Sequence, residues 1–170
     1  MIPKKIHYVW IGGGEKSSTI KKCMKSWERH LADYEIIEWN ESNFDIQSNK
    51  FTSQAYAAKK WAYVSDYIRA YALRQYGGIY LDTDVMVLDN FDAFLNDRAF
   101  VGFENATYPF TAAFGTEAGH PLTADMLAYF DGRDFTFDSN DQMSGVNTKS
   151  VSEILINKYH CRADNSRQLG

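Results

Sequence analysis

The chain has 170 residues, of which 45% are hydrophobic and 15% aromatic, which is enough to form the core of one domain. Its net charge of -4 argues against a nucleic-acid-binding protein, which would carry a basic patch. Because no apolar run approaches the ~20 residues that cross a bilayer and no signal-peptide core follows Met1, we expect a soluble, cytoplasmic protein whose Cys23 and Cys161 stay reduced.

A strand leading into a glycine-rich loop opens the chain. Residues 5–11 are β-branched and aromatic, which predicts a core strand, and three glycines at 12–14 end it. The loop is not a phosphate-binding P-loop, because Glu15 separates the glycines from Lys16 and no Gly-Lys-Ser/Thr tail follows. We therefore expect a core strand that ends at an unusually free loop.

The next segments alternate in type. They are a helix capped by Ser17 or Ser18 and ending near Leu31, a strand at 34–39, a polar connection at 40–49 and a helix at 57–76. The last helix has an apolar stripe and is stopped by Gly77. Asp66 and Arg69 lie three residues apart on it, which places them on one flank.

Residues 77–88 form the stretch around which we expect the fold to be organised. Their apolar run predicts a buried strand, interrupted by Asp82 and Asp84. Residues two apart in a strand point the same way, so the two carboxylates share either one face or the rim where the strand ends. Two such acids repel each other, which favours a divalent metal with oxygen ligands beside them.

The second half continues the alternation of strands and helices. We predict a helical turn at 91–95, strands at 100–103 and 110–114, and helices at 121–130 and 149–159. This pattern favours an α/β fold with a mostly parallel central sheet flanked by helices. In such sheets the ligand crevice lies beyond the carboxyl ends of the strands, where Trp10 and the two acids would fall.

Three segments in a fixed order resemble a known family. They are residues 6–13, which end in Val-Trp-Ile-Gly-Gly, residues 65–70, Ser-Asp-Tyr-Ile-Arg-Ala, and residues 77–85, which contain Tyr-Leu-Asp-Thr-Asp. Together they resemble the sugar-nucleotide-binding region with a DXD motif of retaining glycosyltransferases. The resemblance covers residues 3–88. It is to glycosyltransferase family 32 and, more distantly, to the clostridial glucosylating toxins. It implies one GT-A-like domain over residues 1–170.

The resemblance also implies roles for the acids and the arginine. Asp84 would ligate Mn2+ or Mg2+, which also holds the diphosphate of a nucleoside diphosphate sugar, and Asp82 would lie beside the metal, near the ribose and sugar hydroxyls. Asp66 and Arg69 would grip the transferred sugar, with Arg69 close to the phosphates. Asp82, Asp84 and Arg69 are therefore the expected catalytic residues.

The same resemblance implies a nucleotide pocket. Val9, Trp10 and Ile11 would form the nucleobase slot, with Trp10 as a flat stacking face, and Tyr80 would line the pocket. Each assignment has a structural alternative: the acids as loop or capping residues, Asp66 and Arg69 as a surface ion pair, and Trp10 and Tyr80 as core. The four histidines have no ligand spacing, so we expect them to be structural or exposed.

We therefore expect metal-assisted transfer, with retention, from a nucleoside diphosphate sugar, UDP in preference to GDP, to a saccharide or lipid-linked acceptor, as in bacterial surface polysaccharide biosynthesis. Because no carboxylate stands out as a nucleophile, same-face attack is favoured over a covalent intermediate. The expected location is the cytoplasm, and peripheral association with the inner face of the cell membrane is a second possibility.

Two other functions and one departure from the family stay open. The chain could be a non-catalytic nucleotide-sugar-binding module. Less favoured is a haloacid dehalogenase-type phosphohydrolase, since Met86 stands where that family has Thr or Val. Related transferases continue into a segment with His and Trp residues, so we expect either a shortened chain or a metal held by fewer protein ligands and more water.

Overall fold

Five strands form one mixed sheet in the computed structural model, which describes residues 1–105, 108–136, 146–164, 166 and 168. They are β1 (Lys5–Val9), β2 (Glu35–Trp39), β3 (Gly78–Leu81), β4 (Ala99–Phe103) and β5 (Pro109–Thr116), in the spatial order β2-β1-β3-β5-β4. β1 pairs in parallel with β2 and β3, whereas β5 is antiparallel to both β3 and β4. All the described strands except β5 therefore run in one direction, which confirms the predicted, mostly parallel sheet.

Helices cover both faces of this sheet. They are α1 (Ser18–His30), α2 (Lys50–Ala57), α3 (Trp61–Tyr76), α4 (Pro121–Ala128) and α5 (Val146–Asn157), with short 3-10 helices at Ile46–Ser48 and Asp92–Phe94. On one face, Trp27 of α1 packs with Ile6 and Ile79 of the sheet. On the other, α2 to α5 share a core that includes Ile68 and Leu155. Within the described ranges, no helix combines the length and apolar character needed to cross a bilayer.

The helix predicted at 57–76 is confirmed from Trp61 onward, whereas residues 57–60 hold the end of α2 and the turn that follows it. α2 begins at Lys50, directly after the predicted connection at 40–49, in residues to which the sequence assigned no element, and the Asn49 side chain caps it. It ends at a Schellman-type turn, in which Lys60 N–H donates to Ala55 O and Lys59 N–H donates to Tyr56 O. Lys59 has the positive φ of 56° that this turn requires. Glycine usually holds that position, so no local stop signal marks the end of α2.

The predicted strand at 77–88 is also shorter than expected. β3 ends at Leu81, and a turn closed by Val85 N–H donating to Asp82 O follows. The segment after this turn leaves the sheet and runs along α1, where Trp27 Nε1 donates to Val85 O at 2.8 Å and Val87 N–H donates to the Ser26 hydroxyl at 2.9 Å. Asp82 and Asp84 therefore lie on the rim of the sheet, one of the two placements that their spacing allowed.

The other predicted elements are present, with ends shifted by a few residues. The Ser17 side chain caps α1 by accepting from Ile20 N–H, as one of the two predicted caps. The 3-10 helix Asp92–Phe94 lies within the predicted helical turn. The sequence pattern thus located the elements well where caps or strand ends had local signals.

A buried histidine ties the strands to the end of α3. His7 on β1 is fully buried, its Nε2 lies 2.9 Å from Gly77 O, and its Nδ1 accepts from Trp39 Nε1 at 3.0 Å. Since Nδ1 is an acceptor, the ring is neutral and carries its proton on Nε2. Burial lowers the pKa of His7 to about 4. The residue is structural, in agreement with its lack of ligand spacing.

Candidate active site

A cavity of about 680 Å³ opens at the carboxyl ends of β1 and β3. The two strands are neighbours, with His7 opposite Tyr80, so the loops that leave them lie side by side. α3 supplies a third wall of the cavity. Every residue to which the sequence assigned a site role lines it: Val9, Trp10, Ile11, Asp66, Arg69, Tyr80, Asp82 and Asp84.

Arg69 lies at the centre of an ion-pair cluster. Its side chain is buried, and Nη2 lies 3.1 Å from Oδ1 of Asp66 and 3.1 Å from Oδ1 of Asp82. The Asp66 pair is within α3, whereas the Asp82 pair joins α3 to the end of β3. The surface ion pair that i, i+3 spacing alone allowed is therefore wrong, because both α3 partners are buried and the cluster crosses to the sheet.

Tyr80 supports this cluster from the strand. Its ring lies under the guanidinium, 4.5 Å from Arg69 Cζ, and its hydroxyl donates to Asp82 Oδ1 at 2.9 Å. Burial raises the pKa of Tyr80 well above its ordinary value, so the hydroxyl remains a donor. Burial opposes the charge on Arg69, but Tyr80, Asp82 and Asp66 raise its pKa above the ordinary value. The guanidinium is therefore held charged and fixed.

Two further residues orient Arg69, and the sequence assigned neither a role. Nη1 donates to Thr111 O at 3.3 Å and to Thr111 Oγ1 at 3.2 Å, and Nη2 donates to the Ser65 hydroxyl at 3.3 Å. Ser65 is four residues before Arg69 on the helix, a spacing that could have suggested contact. Thr111 comes from β5, and nothing in its local sequence marks it. It reaches Arg69 only because β5 pairs with β3.

The two acids of the motif have different surroundings. Burial raises the pKa of Asp82, and the Arg69 guanidinium and the Tyr80 hydroxyl oppose that rise. Asp84 is exposed, and its backbone carbonyl accepts from the Cys23 thiol at 3.2 Å. No hydrogen bond or ion pair to the Asp84 carboxylate is formed by the residues that the structure describes. Asp84 is thus free to bind an external group, while Asp82 is already positioned.

The loop after β1 is folded back against its own strand. Trp10 Nε1 donates to Gly14 O at 2.8 Å, and the Lys16 ammonium lies 4.9 Å from the Trp10 ring centroid. Val9 and Ile11 are buried on the α3 side of the sheet. Trp10 is only partly buried, so the tryptophan combines packing with a place on the cavity wall.

Trp61 is a cavity residue that the sequence placed only on an apolar stripe. A Cβ on Gly12 would lie 2.6 Å from its ring, and Gly12 has a φ of +88°, so only glycine fits between loop and helix. Glu41 fixes the same loop by accepting from Gly12 N–H at 2.8 Å and from the Tyr56 hydroxyl at 3.1 Å. The loop thus has a defined position in spite of its three glycines.

Comparison with known families gives a match over residues 17–101, half of the chain. The family is described as the glycosyltransferase sugar-binding region containing a DXD motif. The chain belongs to this family. In this glycosyltransferase the motif is Asp82-Thr83-Asp84, at the cavity rim. Membership disagrees with the haloacid dehalogenase alternative, and comparison with curated protein sequences finds no significant match.

Solved structures support the same fold for this glycosyltransferase. The PaToxG glycosyltransferase superposes with a TM-score of 0.67 at 16% identity, over 92% of this chain and 69% of that one. A transferase mutant with two cysteine-to-serine substitutions superposes with a TM-score of 0.58 at 11% identity, over 98% of this chain and 93% of that one. The GT-A-like α/β fold is therefore confirmed.

The two motif carboxylates are suitable ligands for a divalent cation, but they are only two of the six or more oxygens that such a cation binds. The free carboxylate of Asp84 and the fixed one of Asp82 offer the hard oxygen ligands that Mn2+ and Mg2+ prefer. The hydrogen bonds to the Asp82 carboxylate described above all reach Oδ1. In the described part of the chain, no group of three Asp, Glu, His or Cys residues is placed to hold a metal. Any cation here would need further oxygens from a ligand or from water.

Proposed function

We propose that this glycosyltransferase moves a sugar from a nucleoside diphosphate sugar, UDP in preference to GDP, to a saccharide or lipid-linked acceptor with retention. The observation that carries the proposal is the buried Arg69, fixed between Asp66 and Asp82 at the wall of a cavity whose rim bears the free carboxylate of Asp84. The cavity volume suits a nucleotide-sized ligand, since ligand sites commonly measure ~300–1,000 Å³.

In this proposal Asp84 and Asp82 hold Mn2+ or Mg2+. When bound, the cation neutralises the negative charge that develops on the departing diphosphate. Asp82 keeps one orientation because Arg69 and Tyr80 both bind Oδ1. Its placement requires no rearrangement when the donor arrives, which is the form of preorganisation that contributes most to electrostatic catalysis.

Arg69 acts in this proposal through charge and position. Its nitrogens already bind Ser65, Asp66, Asp82 and Thr111, so it holds the two acids in place and adds a fixed positive charge beside the phosphates. Asp66 and Asp82 then offer their remaining carboxylate capacity to the sugar hydroxyls. Val9, Trp10, Ile11 and Tyr80 form the wall for the nucleoside, with Trp10 as the stacking surface.

Retention is proposed to follow the same-face route. The acceptor hydroxyl would attack the anomeric carbon from the side on which the C–O bond to the diphosphate breaks, and its proton would pass to a departing phosphate oxygen. The alternative needs a free carboxylate as nucleophile. Asp84, the free acid of the cavity, is assigned to the cation in this proposal, Asp66 and Asp82 are bound to Arg69, and Glu15 pairs with Lys21 at 2.6 Å, which supports the same-face route.

Nucleoside diphosphate release tests this function. A panel of UDP- and GDP-sugars is incubated with the protein and an acceptor mixture in Mn2+, in Mg2+ and in EDTA, and the anomeric configuration of the product is read by NMR. We expect nucleoside diphosphate release to depend on the metal. Asp84→Asn should lower its rate by about 100-fold or more, because the variant lacks the carboxylate that holds the cation at the leaving group. The matched control, Asp89→Asn, alters an exposed acid outside the cavity and should leave the rate unchanged.

Two results would contradict parts of this proposal. Donor uptake without turnover for any acceptor would favour the non-catalytic binding module. Equal rates for the wild type and Asp84→Asn would remove the role of the motif. We further propose a cytoplasmic protein of bacterial surface polysaccharide biosynthesis, associated with the inner face of the membrane, for which colocalisation of a tagged protein with the membrane fraction is the test.

A further inference from the structure

A basic stripe on α1 has no counterpart in the catalytic proposal. Between Ser18 and His30 the helix carries four Lys or Arg residues and a single acid, Glu28, although the whole chain has a net charge of -4. Lys21 pairs with Glu15 beside the glycine loop. The other three are Lys22, Lys25 and Arg29. None of these three forms an ion pair with any residue in the described ranges.

The three cations share one face of the helix. Their spacing is i, i+3 and i+7, which places them within a narrow sector of a 3.6-residue helix. All are exposed, while Cys23 and Trp27 point from the opposite side of α1 into the core. Glu28, three residues after Lys25, is exposed at the border of this sector, so the face carries three cations with one acid at its edge.

Exposed apolar side chains lie beside this stripe. Met86 is 44% exposed and Leu88 is 79% exposed, and both flank Val87, whose N–H donates to the hydroxyl of Ser26. Ser26 is four residues after Lys22 and is therefore its neighbour on the surface of α1, so the segment 85–88 passes along the edge of the basic stripe. One acid stands at each end of this segment, Asp84 before Val85 and Asp89 after Leu88. We call the surface formed by Lys22, Lys25, Arg29, Met86 and Leu88 the α1 face.

We propose that the α1 face docks on the anionic headgroups of a membrane surface. Cations near such a surface are attracted by its negative potential, and apolar side chains next to them enter the headgroup boundary. The chain's overall negative charge would oppose non-specific attraction to anions, so this local concentration of unpaired cations is what makes the surface complementary to acidic lipid. The exposed leucine and methionine next to the cations favour a lipid surface, which can accept apolar side chains, over a soluble polyanion, which offers charge alone.

Docking in this way would place the reaction at the membrane. Asp84 begins the segment that carries Met86 and Leu88, and its backbone carbonyl is bound by Cys23 of α1. The cavity rim and the α1 face are therefore contiguous along the chain. This consequence rests on the proposed transferase function and makes a lipid-linked acceptor, bound at the headgroup level, the substrate class that fits. The docking itself does not depend on catalysis.

Vesicle sedimentation without donor or metal tests the docking. The probes are vesicles of phosphatidylcholine alone and of phosphatidylcholine with 30% phosphatidylserine, in 0.1 M and 0.5 M NaCl. We expect binding to the anionic vesicles at low salt, with most of it lost at 0.5 M because the charges are screened. The triple variant Lys22→Gln, Lys25→Gln, Arg29→Gln should bind roughly 100-fold more weakly, at about fivefold per cation.

A matched triple variant on the other face of the sheet serves as the control. Lys50→Gln, Lys59→Gln and Lys149→Gln remove the same charge near α2 and on α5, and should leave vesicle binding close to that of the wild type. Leu88→Ser should weaken binding by up to about tenfold and leave its salt dependence intact. Circular dichroism confirms that each variant is folded.

Several outcomes would overturn the docking proposal. They are equal binding to neutral and anionic vesicles, equal losses in the two triple variants, and binding to heparin without binding to vesicles, which would indicate a soluble polyanion partner instead. Nucleoside diphosphate release with a soluble acceptor is measured in parallel. If release persists while vesicle binding fails, only the docking proposal is wrong, and the reverse result identifies a failure of the proposed function.

Discussion

Protonation of the buried His7 should destabilise the fold at mildly acidic pH. The neutral ring donates from Nε2 to Gly77 O and accepts at Nδ1 from Trp39 Nε1. A proton on Nδ1 would face the Trp39 N–H and leave both groups without a partner in the core. The pKa in the folded protein is lowered from 6.5 to about 4. The unfolded chain therefore binds this proton more readily, and stability falls as the pH drops from 6.5 towards 4.

The magnitude follows from the linkage between protonation and folding. A pKa of about 4 in place of 6.5 corresponds to about 3 kcal/mol once both states are protonated, below pH 4. Between pH 7.5 and pH 5 the loss is about 2 kcal/mol of unfolding free energy. Burial also lowers the pKa of His120, which adds a loss of the same sign. A comparison of variants is therefore needed to isolate the contribution of His7.

Urea unfolding of three proteins at pH 7.5 and pH 5 makes this measurement. His7→Phe removes the titrating group and should lower stability at pH 7.5, because Gly77 O and Trp39 Nε1 lose their partner. It should then lose about 2 kcal/mol less than the wild type on acidification. His160→Asn changes an exposed histidine at a φ of 55°, which asparagine tolerates, and should keep the wild-type pH dependence. Equal pH dependence in His7→Phe and the wild type would refute the assignment.

Two further predictions concern the cavity wall. Tyr80→Phe keeps the ring and deletes the hydroxyl that binds Asp82, so steady-state turnover should fall by about tenfold while the melting temperature changes little; unchanged turnover would mean that the hydroxyl does not position the acid. Gly12→Ala should lower the unfolding free energy by about 1–3 kcal/mol in urea titration, because its Cβ would meet Trp61 at 2.6 Å. Gly13→Ala, whose Cβ meets nothing within 4 Å, adds only backbone strain and should cost less; equal costs would show that the clash is relieved.

Much of the candidate site was predictable because its residues lie a few positions apart in the sequence. The i, i+3 pair on α3, the alternate acids after an apolar strand and the strand that ends at glycines are local patterns. The rule that ligands lie beyond the carboxyl ends of parallel strands then brought Trp10 and the acids to one edge. All three patterns line the same cavity in the structure.

The errors arose where local signals were absent or where the chain left the sheet. Lys59 holds a left-handed turn position without being glycine, so the end of α2 was not predicted and the next helix was expected from residue 57, four residues before α3 begins. Val85 and Val87 look like strand residues, but their backbone groups bond to Trp27 and Ser26 of α1 instead of to a neighbouring strand. At Lys59 local turn bonds to Tyr56 O and Ala55 O end the helix, whereas at Val85 and Val87 tertiary contacts satisfy the backbone groups that the periodic pattern assigned to a strand.

The sequence by itself determined which side chains the candidate site contains, because the order and spacing of Asp66, Arg69, Asp82 and Asp84 are properties of the linear chain. Only the tertiary structure decided how these groups are placed relative to one another. Arg69 reaches Asp82 because α3 packs against β3, and it is bound by Thr111 because β5 lies beside β3. Contacts between residues so far apart along the chain are set by how the helices and strands pack, which no local periodicity specifies.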